Sequence, residues 1–287
     1  MSTTPLSSSH LFQIGGLAVP DLPNTINFGR YSFEEVAKRI DLLEAQDREW
    51  EKCRVLSESQ GYLGFLNLVT GSSARSARRV LGEFTDDSDF RRSISDRLSA
   101  LDRIQSPGDL RFHAISLYAI TRLIRPKLVV ETGVAHGKSS AFILLALRHN
   151  GWGELYSYDI PPSGDLADGS CTSLSDRETG WLVPDYLRDL WHFSQTDSVP
   201  GLIDFVQRLR QGRHVDMFVH DSLHTYDHVN KELEIIDPAL SPNAVVACDN
   251  IDMEGGKAWS DWLKCRGILG WAYRDFGAAR LEPRAGV

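Results

Sequence analysis

Cysteines are few in this sequence, and long apolar runs are missing. Four cysteines are scattered over 287 residues without a C-x-x-C pair, which argues against a zinc ribbon, a thioredoxin-type site and a secreted disulfide framework. The longest apolar runs, such as 141–147, are far shorter than the roughly 20 residues that span a bilayer. The start of the chain lacks the basic and apolar parts of a secretory signal. We therefore expect reduced thiols, no membrane partner and a cytoplasmic location.

An excess of positive charge is also missing. The 31 Lys and Arg residues are outnumbered by 39 Asp and Glu residues, which gives a formal net charge of -8. Nucleic acids and anionic membranes attract basic surfaces, so we expect neither as a partner. Hydrophobic residues at 42% and charged residues at 24% are typical of ordinary globular proteins. A self-sufficient globular protein is therefore the default expectation.

The first third of the chain predicts no chemistry of its own. Residues 1–30 are rich in Ser, Thr, Pro and Gly, which predicts an extended or disordered arm. Residues 31–110 predict a helical region, and Ser32 with Glu35 forms a capping-box pattern for a helix towards residue 55. Such a region is typical of a cap or an oligomerisation element. A homo-oligomer is therefore one expectation for the oligomeric state. Further helices are predicted at 62–69, 74–84 and 90–104.

Residues 111–287 show alternating strand and helix patterns. Strands are predicted at 128–131, 154–159, 216–220 and 244–248, and helices at 113–124, 139–148 and 226–240. Strands that alternate with helices imply right-handed crossovers and a mostly parallel, doubly wound sheet, so we expect a Rossmann-like α/β domain. Its ligand site lies at the carboxyl ends of the strands. The polar stretch 161–181 predicts either a disordered loop or a functional lid.

A glycine-containing turn follows the first of these strands. Glu131 ends the strand, Gly133 and Gly137 bracket the turn, and a helix begins near Ser139. Such a corner brings free backbone N–H groups close to a ligand, although its spacing fits neither the dinucleotide fingerprint nor the P-loop. Alone it is consistent with a cofactor cradle or with an ordinary corner. Asp159 ends the next strand, where Rossmann-like folds place the carboxylate that binds ribose hydroxyls.

Acidic and amide side chains follow two further strands. Asp221 follows one strand, and Asp249 and Asn250 follow the next. Neighbouring strand ends should bring these oxygen donors together, and such donors suit Mg²⁺ better than zinc. His224 lies three residues after Asp221, at the rim of the same expected pocket. Each residue alone is more often a cap or a surface group, but the combination favours a site.

The motifs together resemble a known family. They are Glu131-Thr-Gly133-Val-Ala-His-Gly137-Lys-Ser139, Gly180-Trp-Leu-Val-Pro184, His220-Asp-Ser-Leu-His-Thr-Tyr226 and Asp249-Asn250. Over about residues 111–255 the chain resembles the class I S-adenosylmethionine-dependent methyltransferases. It is most similar to the bacterial branch with macrolide sugar O-methyltransferases and proteins once labelled cephalosporin hydroxylases. The glycine loop is also similar to that of catechol O-methyltransferase.

The resemblance implies a function and a role for each candidate residue. It implies an O-methyltransferase that uses S-adenosylmethionine, with help from Mg²⁺ or a similar divalent cation, on a hydroxyl of a small molecule such as a sugar-bearing natural product. Catalysis would rest on His224 as general base, with Asp221. The cofactor would be bound by Glu131, Gly133, Gly137 and Ser139 at its methionine part, by Asp159 at the ribose and by Asp197 at adenine. The metal ligands would be Asp221, Asp249 and Asn250.

Other readings of the same residues stay open. A metal-independent N- or C-methyltransferase would share every cofactor residue. A scaffold would bind the cofactor without methyl transfer, and a nicotinamide oxidoreductase on the same fold is disfavoured because the third glycine is missing. Sugar-methylating relatives carry two acids where this chain has Cys248-Asp249-Asn250, whereas the catechol enzymes carry Asp-Asn. The sequence alone leaves open which of Asp249 and Asn250 dominates metal binding.

Overall fold

A computed structural model describes residues 25–27, 61–99, 109–162, 176–273 and 275–281. Four segments with predictions lie outside these ranges. They are most of the arm at 1–30, the helix predicted after Ser32, the end of the helix predicted to reach 104 and the middle of the stretch 161–181. Within them, no helix has both the length and the apolar character needed to cross a membrane.

A seven-stranded sheet forms the centre of the fold, in the order β5-β4-β3-β6-β7-β9-β8. The five strands from β5 to β7 are parallel, and β9 pairs antiparallel with both β7 and β8. The bounds are β3 Leu128–Thr132, β4 Glu154–Asp159, β5 Trp191–Gln195, β6 Val215–His220, β7 Leu240–Cys248, β8 Trp271–Tyr273 and β9 Phe276–Arg280. The short strands β1 Thr25–Asn27 and β2 Asp109–Arg111 form a separate antiparallel pair.

Helices cover both faces of the sheet. The α-helices are α1 Tyr62–Thr70, α2 Ala74–Asp86, α3 Ser88–Ser99, α4 Phe112–Ile124, α5 Lys138–Asn150, α6 Ser198–Arg208, α7 Tyr226–Ile236 and α8 Glu254–Arg266. Short 3₁₀ turns occupy Asp185–Leu190 and Asp237–Ala239. Strands joined by such helices form the doubly wound, Rossmann-like α/β sheet that the sequence predicts, and this prediction is confirmed.

Two hydrophobic clusters lie on opposite faces of the sheet. One joins α1 to α3 with α4, α5 and the sheet, and the other packs α6 to α8 against the opposite face. Helix α5 is buried almost all round, because aromatic residues of α2 and α3 cover its outer side. Phe84 and Phe90 pack on Phe142 with ring centroids 5.5 and 5.1 Å apart. This packing explains the long apolar run within α5.

The sequence predicted four of the five parallel strands, and it missed the parallel strand β5 and the antiparallel strands β8 and β9. Strand 154–159 is found with the predicted bounds, and the strands predicted from 128 and 216 differ by one residue. The helix predicted over 226–240 was too long, because Pro238 enters a 3₁₀ turn after Ile236 and Leu240 already begins β7. Strands β8 and β9 were not predicted, since these short segments acquire their pairing only from the edge of the sheet.

Candidate active site

The turn after β3 brings two strand ends into direct contact. Gly133 has a φ of 81°, and a Cβ built there would lie only 1.9 Å from the backbone oxygen of Asp221. Its N–H donates to the carbonyl of Tyr158 at 2.9 Å. Glycine is therefore required, because any side chain would collide with the chain that follows β6. The close approach places the glycine turn next to Asp221.

The other end of the turn starts helix α5. Gly137 has a φ of 87°, and no side chain caps the helix there. The first intrahelical bond is donated by Ala141 to Gly137, and the start of a helix is where backbone N–H groups can bind an anionic ligand. The role of this turn in cofactor binding stays a prediction. Ser139, a candidate cofactor residue, is buried in this turn.

The segment 180–183 packs over the glycine turn. Gly180 donates its N–H to the carbonyl of Ala135 at 2.8 Å, and Leu182 donates to the carbonyl of His136 at 2.9 Å. The indole N–H of Trp181 donates to His136 Nδ1 at 3.2 Å. Burial, followed by the charge of Lys138, lowers the pKa of His136 to about 4. The segment that the sequence marked as a motif thus fixes the outer side of the turn.

Glu131 is a fully buried carboxylate at the end of β3. Its Oε2 accepts from the hydroxyls of Ser140 at 2.6 Å and Ser157 at 2.8 Å. Its Oε1 is buried and accepts no hydrogen bond from the described residues. Burial raises the pKa of Glu131, and the neighbouring hydroxyls of Ser139, Ser140 and Ser157 oppose that shift. A buried acceptor without a donor suits a polar or cationic ligand group in the glycine turn.

Asp159 holds the glycine turn in place. Its Oδ2 accepts the N–H groups of Val134 at 2.9 Å and Ala135 at 2.6 Å, and its Oδ1 accepts from Ile160 at 2.7 Å. Burial raises its pKa, against the effect of these three backbone bonds. A carboxylate has about four acceptor positions. Asp159 therefore shapes the turn and keeps acceptor capacity for the ribose contact that the resemblance implies.

Asp197 lies at the carboxyl end of β5, on the same edge of the sheet. It is exposed, and its Oδ1 accepts the N–H of Val199 at 2.9 Å, as the N-cap of α6. Capping accounts for the residue structurally. The adenine contact implied by the resemblance stays a prediction for this position.

The carboxyl ends of β6 and β7 carry the acidic pair that the sequence predicts. Asp221 donates its N–H to Thr132 at 2.8 Å, and Asp249 donates to His220 at 3.0 Å, so both follow the sheet register. Their side chains converge, because oxygen atoms of Asp221 and Asp249 and a nitrogen of His113 all lie within 4.8 Å of one another. The side chain of Asp249 is only 4% exposed. His224 Nε2 lies 3.7 Å from Asp221 Oδ1.

Asn250 turns the chain directly after Asp249. Its φ of 49° is left-handed, a conformation that asparagine tolerates better than most residues. Its carbonyl accepts the N–H of Met253 at 2.9 Å. The backbone conformation alone accounts for an asparagine here, and its role as a metal ligand stays a prediction.

Sequence analysis missed His113. It is the second residue of α4, the helix that runs antiparallel to β3 and so starts at the carboxyl edge of the sheet. The side chain is 9% exposed, with Nε2 3.9 Å from Asp221 Oδ2 and Nδ1 4.0 Å from Asp249 Oδ1. One signal was present in the sequence, since a histidine in the first turn of the helix before β3 must lie near this edge.

A second residue missed in the sequence is Glu232, which lies buried beneath the site. It accepts from Thr132 at 2.9 Å and Ser222 at 2.7 Å, and contacts His220 Nδ1 at 2.7 Å and His228 Nε2 at 3.0 Å. Burial alone would raise its pKa, but the charges and hydrogen bonds of the two histidines lower it overall. The His220 ring in turn stands perpendicular to that of His224, with centroids 5.3 Å apart.

Comparisons with known proteins agree with the motifs. A family model described as a methyltransferase domain matches residues 130–251. A search of the curated proteins finds no match. The matched range begins within β3 and ends after Asn250, so it contains the glycine turn, Asp159, Asp197 and both acidic strand ends.

Several solved structures are similar to this chain at low identity. The O-methyltransferase TomG from Streptomyces achromogenes is 15% identical, with 69% of this chain and 91% of that chain covered and a TM-score of 0.45. A putative O-methyltransferase from Klebsiella pneumoniae is 14% identical, with 73% and 97% covered and a TM-score of 0.46. A putative caffeoyl-CoA O-methyltransferase from Staphylococcus aureus is 13% identical, with 70% and 95% covered and a TM-score of 0.46.

Similarity of this size carries no statement about reaction or substrate. The match to the family model is independent of these structures and covers every motif on which the resemblance to class I enzymes rests. Residues 130–251 of this chain are thus similar to a methyltransferase domain.

Proposed function

We propose that this protein is an O-methyltransferase that transfers the methyl group of S-adenosylmethionine to a hydroxyl of a small molecule, with help from a divalent cation. The observation that carries the proposal is the convergence of Asp221 and Asp249 beside the glycine turn, with His224 Nε2 3.7 Å from Asp221 Oδ1. Because Gly133 abuts the backbone of Asp221, a donor held by the turn and an acceptor held by the acidic pair would be neighbours.

The cofactor would lie across the carboxyl ends of β3, β4 and β5. The N–H groups at the start of α5 suit its carboxylate, and the buried Oε1 of Glu131 suits its ammonium group. Asp159 would bind the ribose and Asp197 the adenine. When bound, the sulfonium supplies an activated methyl group, so that a C–O bond forms as the S–C bond breaks and its electron pair returns to sulfur.

The residues at the ends of β6 and β7 fit a divalent cation. Two carboxylates directed at each other from neighbouring strands repel one another unless a positive charge lies between them. Asp221 and Asp249 would hold the ion, and Asn250 is the third oxygen donor implied by the resemblance. A bound cation supplies Lewis acidity, which lowers the pKa of a coordinated hydroxyl and fixes its orientation.

His224 is the residue that would accept the proton of the acceptor hydroxyl. An alcohol with a water-like pKa of about 15.7 is roughly nine units above a histidine at about 6.5, which corresponds to about 12 kcal/mol. The imidazole alone cannot close that gap, so acidification of the hydroxyl and positioning must supply the rest. The loop that carries His224 is fixed to α8, because the His224 carbonyl accepts the N–H of Gly255 at 2.9 Å.

The acceptor we propose is a hydroxylated small molecule with an apolar part, such as a sugar-bearing natural product. The sugar follows from the resemblance, and the apolar part from two exposed side chains next to the site. Leu223 lies between Asp221 and His224 in the chain, and Met253 directly precedes α8. The hydrogen bond from Gly255 of α8 to the carbonyl of His224 connects the two loops that carry these side chains. Neither nucleic acid nor membrane is proposed as a partner, and the cytoplasmic location and the homo-oligomer stay predictions.

The test compares cofactor binding with turnover. The protein is incubated with S-adenosylmethionine and a panel of glycosylated and phenolic alcohols, and formation of S-adenosylhomocysteine is measured. We expect His224→Ala to lower turnover by about 10²- to 10⁴-fold, which is the usual contribution of a general base, while affinity for S-adenosylhomocysteine changes less than threefold. The exposed His214 at the opposite edge of the sheet provides the control His214→Ala.

Three outcomes would contradict parts of the proposal. Turnover that resists chelation would favour a metal-independent N- or C-methyltransferase. Binding of S-adenosylhomocysteine without methyl transfer to any alcohol or amine would favour a scaffold. Failure to bind S-adenosylhomocysteine, together with binding of NAD, would favour an oxidoreductase on the same fold.

A further inference from the structure

His113 connects the helix α4 to the acidic pair. Its ring lies about 4 Å from both carboxylates, 3.9 Å from Asp221 and 4.0 Å from Asp249. These separations are longer than hydrogen bonds, which for N–H···O pairs end near 3.2 Å. The ring packs against Phe276 of β9, with centroids 6.5 Å apart and planes 35° apart. The imidazole thus lies between Phe276 and the acidic pair.

The three side chains fit the first coordination sphere of one ion. One ligand atom from each of His113, Asp221 and Asp249 lies within 4.8 Å of the other two. Two ligands at about 2.1 Å from a shared ion are about 3 Å apart at a right angle and about 4 Å apart when opposite. Small rotations of the side chains therefore bring all three atoms to binding distance.

The charge at this position also calls for a cation. Asp249 is almost fully buried, Asp221 is partly buried with 24% of its side chain exposed, and His113 is nearly buried. Two carboxylates held close together in such a setting repel one another, and a cation between them reduces that repulsion. A divalent ion would balance both carboxylates and leave the imidazole neutral, the form in which histidine binds metals.

We propose that His113 is a nitrogen ligand of the ion held by Asp221 and Asp249, and that this ion is a first-row transition metal such as Mn²⁺ rather than Mg²⁺. Mg²⁺ prefers sites built from oxygen alone, whereas imidazole nitrogen favours transition metals. The expectation of Mg²⁺ came from oxygen donors at strand ends and did not include a residue from α4. The inference deepens the proposed function, since it names the ion at the same site.

Metal binding without substrate tests the inference. Titration calorimetry of the full chain with Mn²⁺ and with Mg²⁺, each alone, should give one site with at least tenfold higher affinity for Mn²⁺. His113→Ala should lower the Mn²⁺ affinity at least tenfold and remove most of the preference over Mg²⁺. Asp221→Asn should weaken both ions, and the control His214→Ala should weaken neither.

Electron spin echo spectroscopy of bound Mn²⁺ identifies the nitrogen directly. The wild type should show ¹⁴N modulation from a coordinated imidazole. The modulation should be lost in His113→Gln, which keeps a polar side chain in case His113→Ala does not fold, and should persist in His224→Ala. Circular dichroism of each variant checks that the fold is intact.

The inference and the proposed function fail in different ways. Modulation that persists in His113→Gln, or equal affinities for the two ions in the wild type, would overturn the assignment of His113 while methyl transfer and its sensitivity to chelation remained. A wild type that binds neither ion would overturn the inference and also the metal-assisted part of the proposed function, whereas methyl transfer without a metal could remain. Mn²⁺ binding through His113 without any methyl transfer would instead contradict the proposed function alone.

Discussion

At the scale of single residues, buried polar groups decide how the site is built. Glu232 has no access to solvent, yet it stays ionised because His220 and His228 bind its two oxygens. Breaking a buried charge network by removing one partner usually costs about 3–5 kcal/mol, since the remaining charge is left uncompensated. The network therefore stabilises the loop between β6 and α7, which carries Asp221 and His224.

We expect Glu232→Gln to lower the free energy of unfolding by about 3 kcal/mol at pH 7. The amide keeps the size of the side chain but removes the charge that both histidines need. Urea denaturation measures the effect. The matched control is Glu234→Gln, two residues away on the exposed side of α7, which should change stability by less than about 0.5 kcal/mol. Equal effects of the two substitutions would contradict the network's role.

At the scale of elements, the contact between the turn after β3 and the end of β6 sets the geometry of the site. Gly133 and Gly151 have similar left-handed φ values of 81° and 77°, but a Cβ meets nothing within 4 Å at Gly151. Alanine at Gly151 would therefore meet backbone strain alone, whereas alanine at Gly133 would meet the same strain and a steric collision. Only the first position joins two strand ends.

We expect Gly151→Ala to cost about 1–2 kcal/mol, the penalty for a side chain in left-handed backbone. Gly133→Ala should cost at least about 2 kcal/mol more, because its methyl group overlaps the carbonyl of Asp221. Urea denaturation of both variants measures the difference. A Gly133→Ala variant no less stable than Gly151→Ala would show that the strand ends separate easily.

The segment 180–183 is held to the glycine turn in a way that should depend on pH. The folded pKa of His136 is about 4, whereas an unfolded histidine titrates near 6.5. Between these values the unfolded chain binds a proton that the folded chain does not, so stability falls as the pH drops from 6.5 to 4. The full shift corresponds to at most about 3 kcal/mol.

We expect this part of the pH dependence to disappear in His136→Gln. The free energy of unfolding is measured in urea at several pH values between 4 and 7.5, and the wild-type curve is compared with that of the variant. The difference in unfolding free energy between the wild type and His136→Gln should shrink as the pH falls, because only the wild type loses the stability that depends on a neutral His136. A constant difference over that range would contradict a neutral, buried His136.

At the scale of the whole molecule, the helices α1 to α3 share their core with the sheet. Phe90 is fully buried and stands perpendicular to Phe142 of α5, at a centroid distance of 5.1 Å. Because these rings lie in one continuous cluster with α4 and β3, the helices and the sheet should unfold together. The sequence region that predicted a cap is thus packed as part of the core.

We expect Phe90→Ala to lower the free energy of unfolding by about 3–5 kcal/mol and to keep a single transition. Far-UV and near-UV circular dichroism during urea denaturation should coincide. The control is Ile203→Ala on the exposed side of α6, with an effect below about 1 kcal/mol. Two separate transitions, with helical signal lost first, would show that α1 to α3 unfold on their own.

The sequence alone determined four of the five parallel strands, all except the half-exposed β5, and the residues at their carboxyl edge. Buried parallel strands are continuous apolar runs, and the glycine turn and the acids follow them directly, so local pattern is enough to find them. Asp221 and Asp249 were expected to converge for this reason, and their side chains do so. Their roles in binding stay predictions.

The tertiary structure alone decided what surrounds those residues. The strands β8 and β9 form only against the edge of β7, and the position of His113 depends on helix α4 reaching the same edge from 108 residues away along the chain from Asp221. In the sequence, Glu232 has the pattern of an ordinary exposed acid on a helix, and its burial is visible only in the structure. Contacts between distant segments depend on packing and burial, which a local pattern of residues does not contain.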